Sequence, residues 1–376
     1  MPKRPPSGMK YQNRRTAYDL AARSGEVMRA DIAAAGNMSM PTAMKITNYF
    51  TAEGILSECG TGDTAMGRKP SLYRFVPDFA YAAAVHCDAA ALSCALVDMA
   101  GNATHVSTQP FFGHTCKDYF SAAQAALDTL FEKAADVRGR VVGIGLALPA
   151  ILEHGQERAL RLCPAFGVLD TRSVAREVAA LEARYSLPVT LENDVKAAVV
   201  GEHCARRLFD TRDMAGIVLG SGVGMAAMLD GKLMRGLRGS AGEIGFFSYD
   251  VSYVSDRANY GWLEQQIGLE ALRRGFAFTP ESPGRSALMH VADILATVIT
   301  NVVLVLDIDL VVLSGITAEA FGPALTEQVQ RRLKRLCILP VTVECGVHPA
   351  PGVGGLGFLV GQEHLPELLL RDGAGE

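Results

Sequence analysis

Three features are missing from this chain of 376 residues. The first segment, MPKRPPSGMKYQNRR, is polar and has no apolar h-region, so we expect no signal peptide. The longest apolar stretch, Ile294–Leu306, is interrupted by Thr297, Thr300 and Asn301 and falls short of the roughly 18 residues that span a bilayer. The eight cysteines are scattered and include no CxxC pair, and dispersed thiols in a long chain without a secretion signal are typical of a reduced, cytoplasmic protein. We therefore expect a cytoplasmic protein with no membrane partner, and a buried helix over Ile294–Leu306.

The composition predicts a globular protein whose charge is unevenly distributed. The chain is 49% apolar and 20% charged, and its length suggests two or three domains. Residues 1–75 contain 11 Lys and Arg against 6 Asp and Glu, a balance of +5, whereas the remainder has 25 against 34, a balance of −9. A basic head on an acidic body indicates that the head meets a polyanion, although ordinary surface variation would give the same difference.

Three short helical patterns follow one another in the head. Apolar spacing predicts helices over Asn13–Ser24 and Arg29–Ala35. Ser39 is a favoured N-cap and Pro41 fits a first turn, so a third helix is predicted there, ending at Gly54. Two helices joined by a short turn are typical of a helix-turn-helix, whose second helix enters the major groove. The predicted base-contacting side chains are Met40, Thr42, Lys45 and Asn48.

A β-hairpin is predicted directly after the third helix. Ile55 and Leu56 begin one strand and Ser71–Phe75 form the other, with Arg68 and Lys69 in the turn-rich segment between them. Basic residues at the tip of such a wing would reach the DNA backbone or the minor groove. The alternative is a small helical subdomain used for protein contact. We expect the head to fold separately from the rest of the chain.

The remainder of the chain alternates strands with helices, which predicts an α/β architecture. A long helix is expected over Ser286–Leu306. The predicted strands lie within Tyr81–Leu96 and at Val141–Leu148, Val189–Leu191, Gly216–Leu219 and Leu310–Leu313.

An ordered set of motifs accompanies this pattern. They are Ser39-Met40-Pro41-Thr42, Gly67-Arg68-Lys69-Pro70, Glu192-Asn193-Asp194, Gly220–Gly224 and Gly242-Glu243-Ile244-Gly245. On these motifs the chain resembles the ROK family (repressor, open reading frame, kinase), in its repressor branch, from about Asn13 to Glu363. The resemblance implies a winged helix-turn-helix over residues 1–80 and a two-lobed, actin-like body. Lobe 1 would comprise residues 81–193 with 355–376, and lobe 2 residues 194–354.

The first phosphate loop departs from the family pattern. Where the family has Asp, any residue, then Gly-Gly-Thr, this chain has Asp88-Ala89-Ala90-Ala91-Leu92. Ala in a left-handed conformation would cost about 1–2 kcal/mol, its methyl group would occupy space near a phosphate, and the hydroxyl is lost. Because of Ala90, Ala91 and Leu92 we expect no kinase activity. The second loop, Gly220–Gly224, is intact, so residual nucleotide binding stays open.

The metal-binding pattern of the family is also missing. The His that often follows Gly-Glu-Ile-Gly is Phe246 here, and Phe247–Glu264 contains neither Cys nor His. Zinc needs about four nitrogen or sulfur ligands. We therefore expect no metal and no cofactor, with Phe246 and Trp262 filling the space by apolar packing.

The residues that hold sugar hydroxyls in the family are retained. By resemblance these are Asn193, Asp194, Glu243 and Glu264, although the family's usual Asn two residues after Asp194 is Lys196 here. In a kinase Asp194 would be the general base. The alternative is a structural role for Asp194 and Glu243 at a strand end or a helix cap.

These observations predict a transcriptional regulator, expected to be a repressor of carbohydrate-related genes. Its partners would be a double-stranded DNA operator and a sugar-like effector in the interlobe cleft, and it would form a homodimer or homotetramer. The alternatives are a sugar kinase with an accessory DNA-binding domain and a regulator switched by a protein partner.

Overall fold

The computed structural model describes residues 8–61, 70–87, 91–113, 115–153, 159–160, 171–207, 213–254 and 261–371. Within these described residues, the head contains three helices and a three-stranded antiparallel sheet in the order β1-β3-β2. Its elements are α1 (Met9–Ser24), β1 (Glu26–Met28), α2 (Arg29–Ala35), α3 (Met40–Ala52), β2 (Leu56–Thr61) and β3 (Ser71–Phe75). The predicted wing tip, with Arg68 and Lys69, lies outside the described residues.

The local chemistry of the head explains α3. Ser39 is the N-cap, its Oγ accepting from the Thr42 N–H at 3.4 Å, and Pro41 lies in the first turn, as predicted. Ile46 and Phe50 point into the core of the head. Helix α1 begins four residues earlier than predicted, and β1 was not predicted at all, because Val27 takes an extended conformation by pairing with Tyr73 far along the chain.

The first lobe is built on a five-stranded mixed sheet in the order β10-β7-β4-β5-β6. Tyr119 and Leu127, on one of its helices, pack against the sheet in the buried core of this lobe. The elements are β4 (Tyr81–Cys87), β5 (Ala91–Asp98), β6 (Ala103–Pro110), α4 (Cys116–Lys133), β7 (Val141–Leu148), β8 (Leu152–Glu153), β9 (Ala159–Leu160), α5 (Thr171–Tyr185) and β10 (Val189–Asn193).

The second lobe has its own five-stranded sheet in the order β13-β12-β11-β14-β15. Its elements are α6 (Asp194–Ala205), β11 (Met214–Leu219), β12 (Val223–Leu229), β13 (Lys232–Leu233), α7 (Trp262–Ile267), α8 (Leu269–Phe276), α9 (Arg285–Leu306), β14 (Leu310–Ser314), α10 (Ile316–Phe321), α11 (Pro323–Leu336) and β15 (Thr342–Cys345). Helix α9 is long and apolar enough to cross a membrane by length and composition. Its Leu295 and Ile299 are buried in the core of this lobe, whereas Leu304 and Val305 are exposed, so the predicted helix is confirmed and one of its faces is buried.

The last helix, α12 (Pro351–Leu370), packs along α6 and on strands β4, β5 and β7. The contact with α6 is between backbones: a Cβ on Gly355 would overlap the Ala197 carbonyl oxygen and the Gly201 nitrogen. Only glycine allows two helices to approach this closely. Helix α12 thus lies against both the sheet of the first lobe and the helix that starts the second.

The far end of α12 belongs to the core of the head. Leu365, Leu368 and Leu369 are buried together with the apolar residues of α1 and α3. Arg14 donates to the Leu369 carbonyl at 2.7 Å, and the Tyr49 hydroxyl donates to the Leu368 carbonyl at 3.0 Å. The core of the head is thus completed by residues more than 300 positions away in the chain, whereas the expectation was a head that folds separately.

Candidate functional site

The candidate cleft is centred on the junction between β10 and α6. Asn193 ends the strand and caps the helix, its Oδ1 accepting from the Lys196 N–H at 2.9 Å. Its Nδ2 donates to the Ala150 carbonyl at 3.2 Å and to Asp194 Oδ1 at 3.1 Å. Asn193 therefore fixes Asp194 at the helix N-terminus, where the backbone N–H groups favour a carboxylate.

Asp194 lies close enough to Glu243 for their charges to interact, and Glu243 interacts in the same way with Glu264. Burial, assisted by the charge of Glu243, raises the pKa of Asp194 to about 7, against the lowering effects of the Val195 N–H and of Lys196. Burial also raises the pKa of Glu243, where Lys196 acts in the opposite direction and Glu264 adds to the rise. Such a cluster offers acceptors for hydroxyl groups, with one carboxyl group that exchanges a proton near neutral pH.

Glu264 has a structural role in addition. Its Oε1 accepts from the Val223 N–H at 3.2 Å, and its Oε2 accepts from the Gly261 N–H at 3.0 Å, so it caps its own helix. Burial raises the pKa of Glu264, although these two backbone donors lower it. Each oxygen keeps a second lone pair for a ligand hydroxyl.

Two cations near the cleft were not selected from the sequence as site residues. Arg235 donates to Glu192 Oε2 through Nη2 at 2.6 Å and through Nε at 3.1 Å. Lys196 is buried, and its Nζ donates to the Gly239 carbonyl at 2.9 Å. The signal for Lys196 was present in the sequence, as a charged residue at a position where the family usually has Asn.

The two phosphate loops differ in the structure as they do in sequence. Residues 88–90, which include Ala90, lie outside the described residues. Leu92 pairs with Cys87 in the β4–β5 hairpin and is buried in the core of the first lobe. In the second loop the Gly220 N–H donates to the Gly222 carbonyl at 3.0 Å, and Gly224 packs closely on Val195. Gly224 thus has a packing reason that needs no phosphate, whereas a Cβ on Gly220 would meet nothing within 4 Å.

Aromatic packing is found in the segment where the family binds zinc. The rings of Tyr249 and Trp262 meet edge to face with centroids 5.6 Å apart, and Asn301 of α9 donates to the Tyr249 hydroxyl at 3.0 Å. Phe246 lies in the short 3₁₀ turn after Glu243 and is partly buried. In the described part of the chain, which omits residues 255–260, no group of three His, Cys, Asp or Glu side chains is placed to hold a metal ion.

The candidate DNA surface is the outer face of α3. Met40 is 52% exposed, and Lys45 and Asn48 are also exposed, whereas Thr42 is partly buried and its Oγ1 lies 2.9 Å from Ser39 Oγ. Arg29 of α2 donates to Asn48 Oδ1 at 3.0 Å. This hydrogen bond fixes the orientation of the Asn48 amide. Arg29 thereby adds a cation to this surface that was not selected from the sequence.

Comparisons with known proteins agree with this architecture. A sequence model of the ROK family matches residues 83–351. The chain is similar to the xylose repressor of Caldicellulosiruptor bescii, with 24% identity over 262 residues that cover 65% of this chain and 61% of the repressor. Across three curated relatives that it matches, the chain spans 56% to 61% of their length.

Solved structures extend the likeness to the head. A ROK family transcriptional regulator, a homologue of the E. coli MLC protein, superposes with a TM-score of 0.73 and 18% identity, over 96% of this chain and 98% of that one. A ROK family glucokinase from Streptomyces griseus, solved with glucose and AMPPNP, gives 0.62 and 20% identity, over 75% of this chain and 99% of that one. At these identities the likeness shows the fold.

Proposed function

Because the chain belongs to the ROK family and joins a winged helix-turn-helix head to that family's two-lobed body, we propose that it is a sugar-responsive, DNA-binding transcriptional regulator. The exposed outer face of α3 supports the proposal most directly, since Met40, Lys45 and Asn48 project from a capped recognition helix. The regulator would act as a repressor of carbohydrate-related genes, in the cytoplasm, as a homodimer or homotetramer. The similarity to xylose repressors supports the sugar class of the effector.

The effector would bind in the cleft between the lobes. Asp194 and Glu243 would accept hydrogen bonds from sugar hydroxyls, with Asn193 holding the first of these carboxylates in place. A ligand shifts a conformational equilibrium only by its differential affinity for the two states. We infer that the ligand favours one arrangement of the lobes, and that α12, which contacts both α6 and the head core, carries the change to α3.

Kinase activity is not part of this proposal. Leu92 replaces the hydroxyl residue of the first phosphate loop and is buried in the core of lobe 1. Sugar-dependent ATP turnover at an ordinary enzyme rate, about 1 s⁻¹ or more, would overturn this view. The assay is coupled ATP consumption in the presence of each member of a sugar panel.

Selection of DNA from a random duplex pool tests the main proposal. The full-length protein should enrich a two-fold symmetric sequence at moderate salt, and Lys45→Ala should change the enriched bases, because the side chain would lie at the major groove. Lys133→Ala, at an exposed lysine at the end of α4, is the matched control and should select the wild-type sequence. A pool in which no sequence is enriched would count decisively against a DNA-binding regulator.

Thermal unfolding in the presence of sugars tests the proposal that the effector is a sugar. A matching sugar at 100 times its Kd should stabilise the protein by about 2.7 kcal/mol, visible as a rise in Tm, and Asp194→Ala should abolish the rise. If no sugar, amino sugar or sugar acid changes the Tm, the proposal of a sugar effector fails. A switch operated by a protein partner then takes its place as the proposed mechanism.

A further inference from the structure

Lys196 occupies a position that is unfavourable for a cation. It lies in the first turn of α6, and the side chain is only 2% exposed. A buried ammonium group loses its hydration, and a helix N-terminus carries a partial positive charge that repels it. Loss of hydration lowers the pKa of Lys196. A lysine in such a place needs nearby negative charge to stabilise it.

The charged side chains around Lys196 show which negative charges its ammonium group offsets. The carboxylates of Glu243, Glu192 and Asp194 all raise its pKa, and Arg235 lowers it. Glu192 already accepts two hydrogen bonds from Arg235, so these two charges balance each other. Among the described residues, Lys196 is therefore the cation that remains to offset Asp194 and Glu243.

Lys196 also joins the two walls of the cleft. Its Nζ donates to the carbonyl of Gly239, in the loop that runs from Arg235 to Glu243. Arg235, in the same loop, is paired with Glu192 on β10. The loop that carries Glu243 is thus tied twice to the β10–α6 junction that carries Asp194, each time through a cation.

We propose that Lys196 is the counter-charge of the cleft and a positioning residue for Asp194 and Glu243, and that the cleft consequently takes an uncharged polyol rather than a cationic amino sugar. This ligand class rests on the proposed sugar-responsive function. Of the three acids, Asp194 takes up a proton near neutral pH and Lys196 offsets Glu243, so Glu264 alone keeps an uncompensated charge, and both of its oxygens already accept a hydrogen bond from a backbone N–H group. A neutral hydroxyl can donate to these carboxylates without meeting repulsion from the buried ammonium group.

The counter-charge role is tested by the pH dependence of stability, without any ligand. Lys196→Gln keeps a side-chain donor for Gly239 and removes the charge. Without Lys196 the pKa of Asp194 and of Glu243 should rise further, so the variant should lose stability relative to wild type as the pH rises. The expected Tm deficit is about 2 °C larger at about pH 8 than at about pH 5.5, measured by thermal unfolding.

Two further variants make that measurement specific. Lys196→Arg keeps the charge, so its Tm difference from wild type should not change with pH, even if the larger side chain packs less well. Lys232→Gln removes an exposed lysine on β13 and should show no pH-dependent difference. A deficit for Lys196→Gln that is equal at both pH values, or that Lys196→Arg reproduces with the same pH dependence, would overturn the counter-charge role.

The ligand class is tested with D-glucose and D-xylose as uncharged probes and D-glucosamine as the cationic one, at about pH 6.5, where an α-amino-type group is protonated. Wild type should bind an uncharged sugar more tightly than glucosamine. In Lys196→Gln the preference should shift toward glucosamine by about tenfold, or about 1.4 kcal/mol. Tighter binding of glucosamine by wild type would overturn the ligand class. Failure of all three probes to bind would count against the ligand class and the sugar-responsive function together, while the pH comparison still decides the role of Lys196.

Discussion

At the residue scale, the chemistry of the cleft depends on how Asn193 divides its hydrogen bonds. One end of its amide caps α6 and the other contacts Ala150 and Asp194. The same side chain thereby caps α6 and orients the Asp194 carboxylate. The end of β10, the start of α6 and the Asp194 carboxylate therefore meet at Asn193.

The raised pKa of Asp194 leads to a prediction about pH. The folded protein keeps a proton on Asp194 up to about pH 7, whereas an unfolded Asp releases it near its ordinary value. The stability that this group contributes is present at low pH and is lost as the pH rises through about 7. Asp194→Asn removes this loss, so its Tm should exceed that of wild type by about 2 °C at about pH 8, with no excess at about pH 4.

Asp136→Asn, at an exposed carboxylate, is the control for this experiment and should show no such trend in thermal unfolding. A Tm difference for Asp194→Asn that is constant with pH, or that narrows as the pH rises, would contradict burial as the cause of the raised pKa.

The residues of the cleft differ in how well sequence alone could place them. Asn193 and Asp194 are adjacent in a motif, so their position at a strand end was predictable from the pattern. Gly239 could not be paired with Lys196 in the same way, because 43 positions separate them and the loop between β13 and Glu243 has no periodic pattern. Contacts that close a loop onto a helix are decided by tertiary packing.

At the element scale, the bounds of α2 and β3 agree with the sequence prediction because their signals are local. Strand β1 has three residues and no apolar alternation, so only its pairing with β3 reveals it. The link between α12 and the head is missed for a related reason. The leucines near residue 368 fit any buried helix face, and no local pattern indicates that the partner is the N-terminal domain.

The contact between α6 and α12 predicts a large effect of one methyl group. Gly355→Ala would place a Cβ against the Ala197 carbonyl and the backbone of Gly201, which side-chain rotation cannot relieve. We expect a loss of about 3 kcal/mol, from forced separation of the two helices. Gly275→Ala, in α8 where a Cβ meets nothing within 4 Å, is the control and should gain about 0.5–1 kcal/mol. Denaturant unfolding of both variants measures the difference, and equal effects would show that the helices are not tightly packed.

At the scale of the whole molecule, the head is basic and the body is acidic. The head has a balance of +5 within its first 75 residues and the remainder has −9, so a polyanion is attracted to one end and repelled from the rest. The head is also fixed to the body through α12, by the Arg14 and Tyr49 hydrogen bonds. The division of the body into lobes at residues 193 and 194 stays a prediction, since α6 contacts elements of both sheets.

A fixed head in a symmetric dimer predicts a strict spacing between half-sites on DNA. Two α3 helices related by a two-fold axis should occupy successive major grooves on one face of the duplex, about 10 base pairs apart or a multiple of that. Inserting about 5 base pairs between the half-sites rotates one half-site by half a helical turn relative to the other and should abolish binding. Inserting about 10 base pairs returns both half-sites to the same face of the duplex and should restore part of the affinity. Gel-shift measurement on the selected sequence and its spacing variants decides the matter. Equal affinity for all spacings would mean that the heads move independently, and α12 could then not transmit a change from the cleft to the operator.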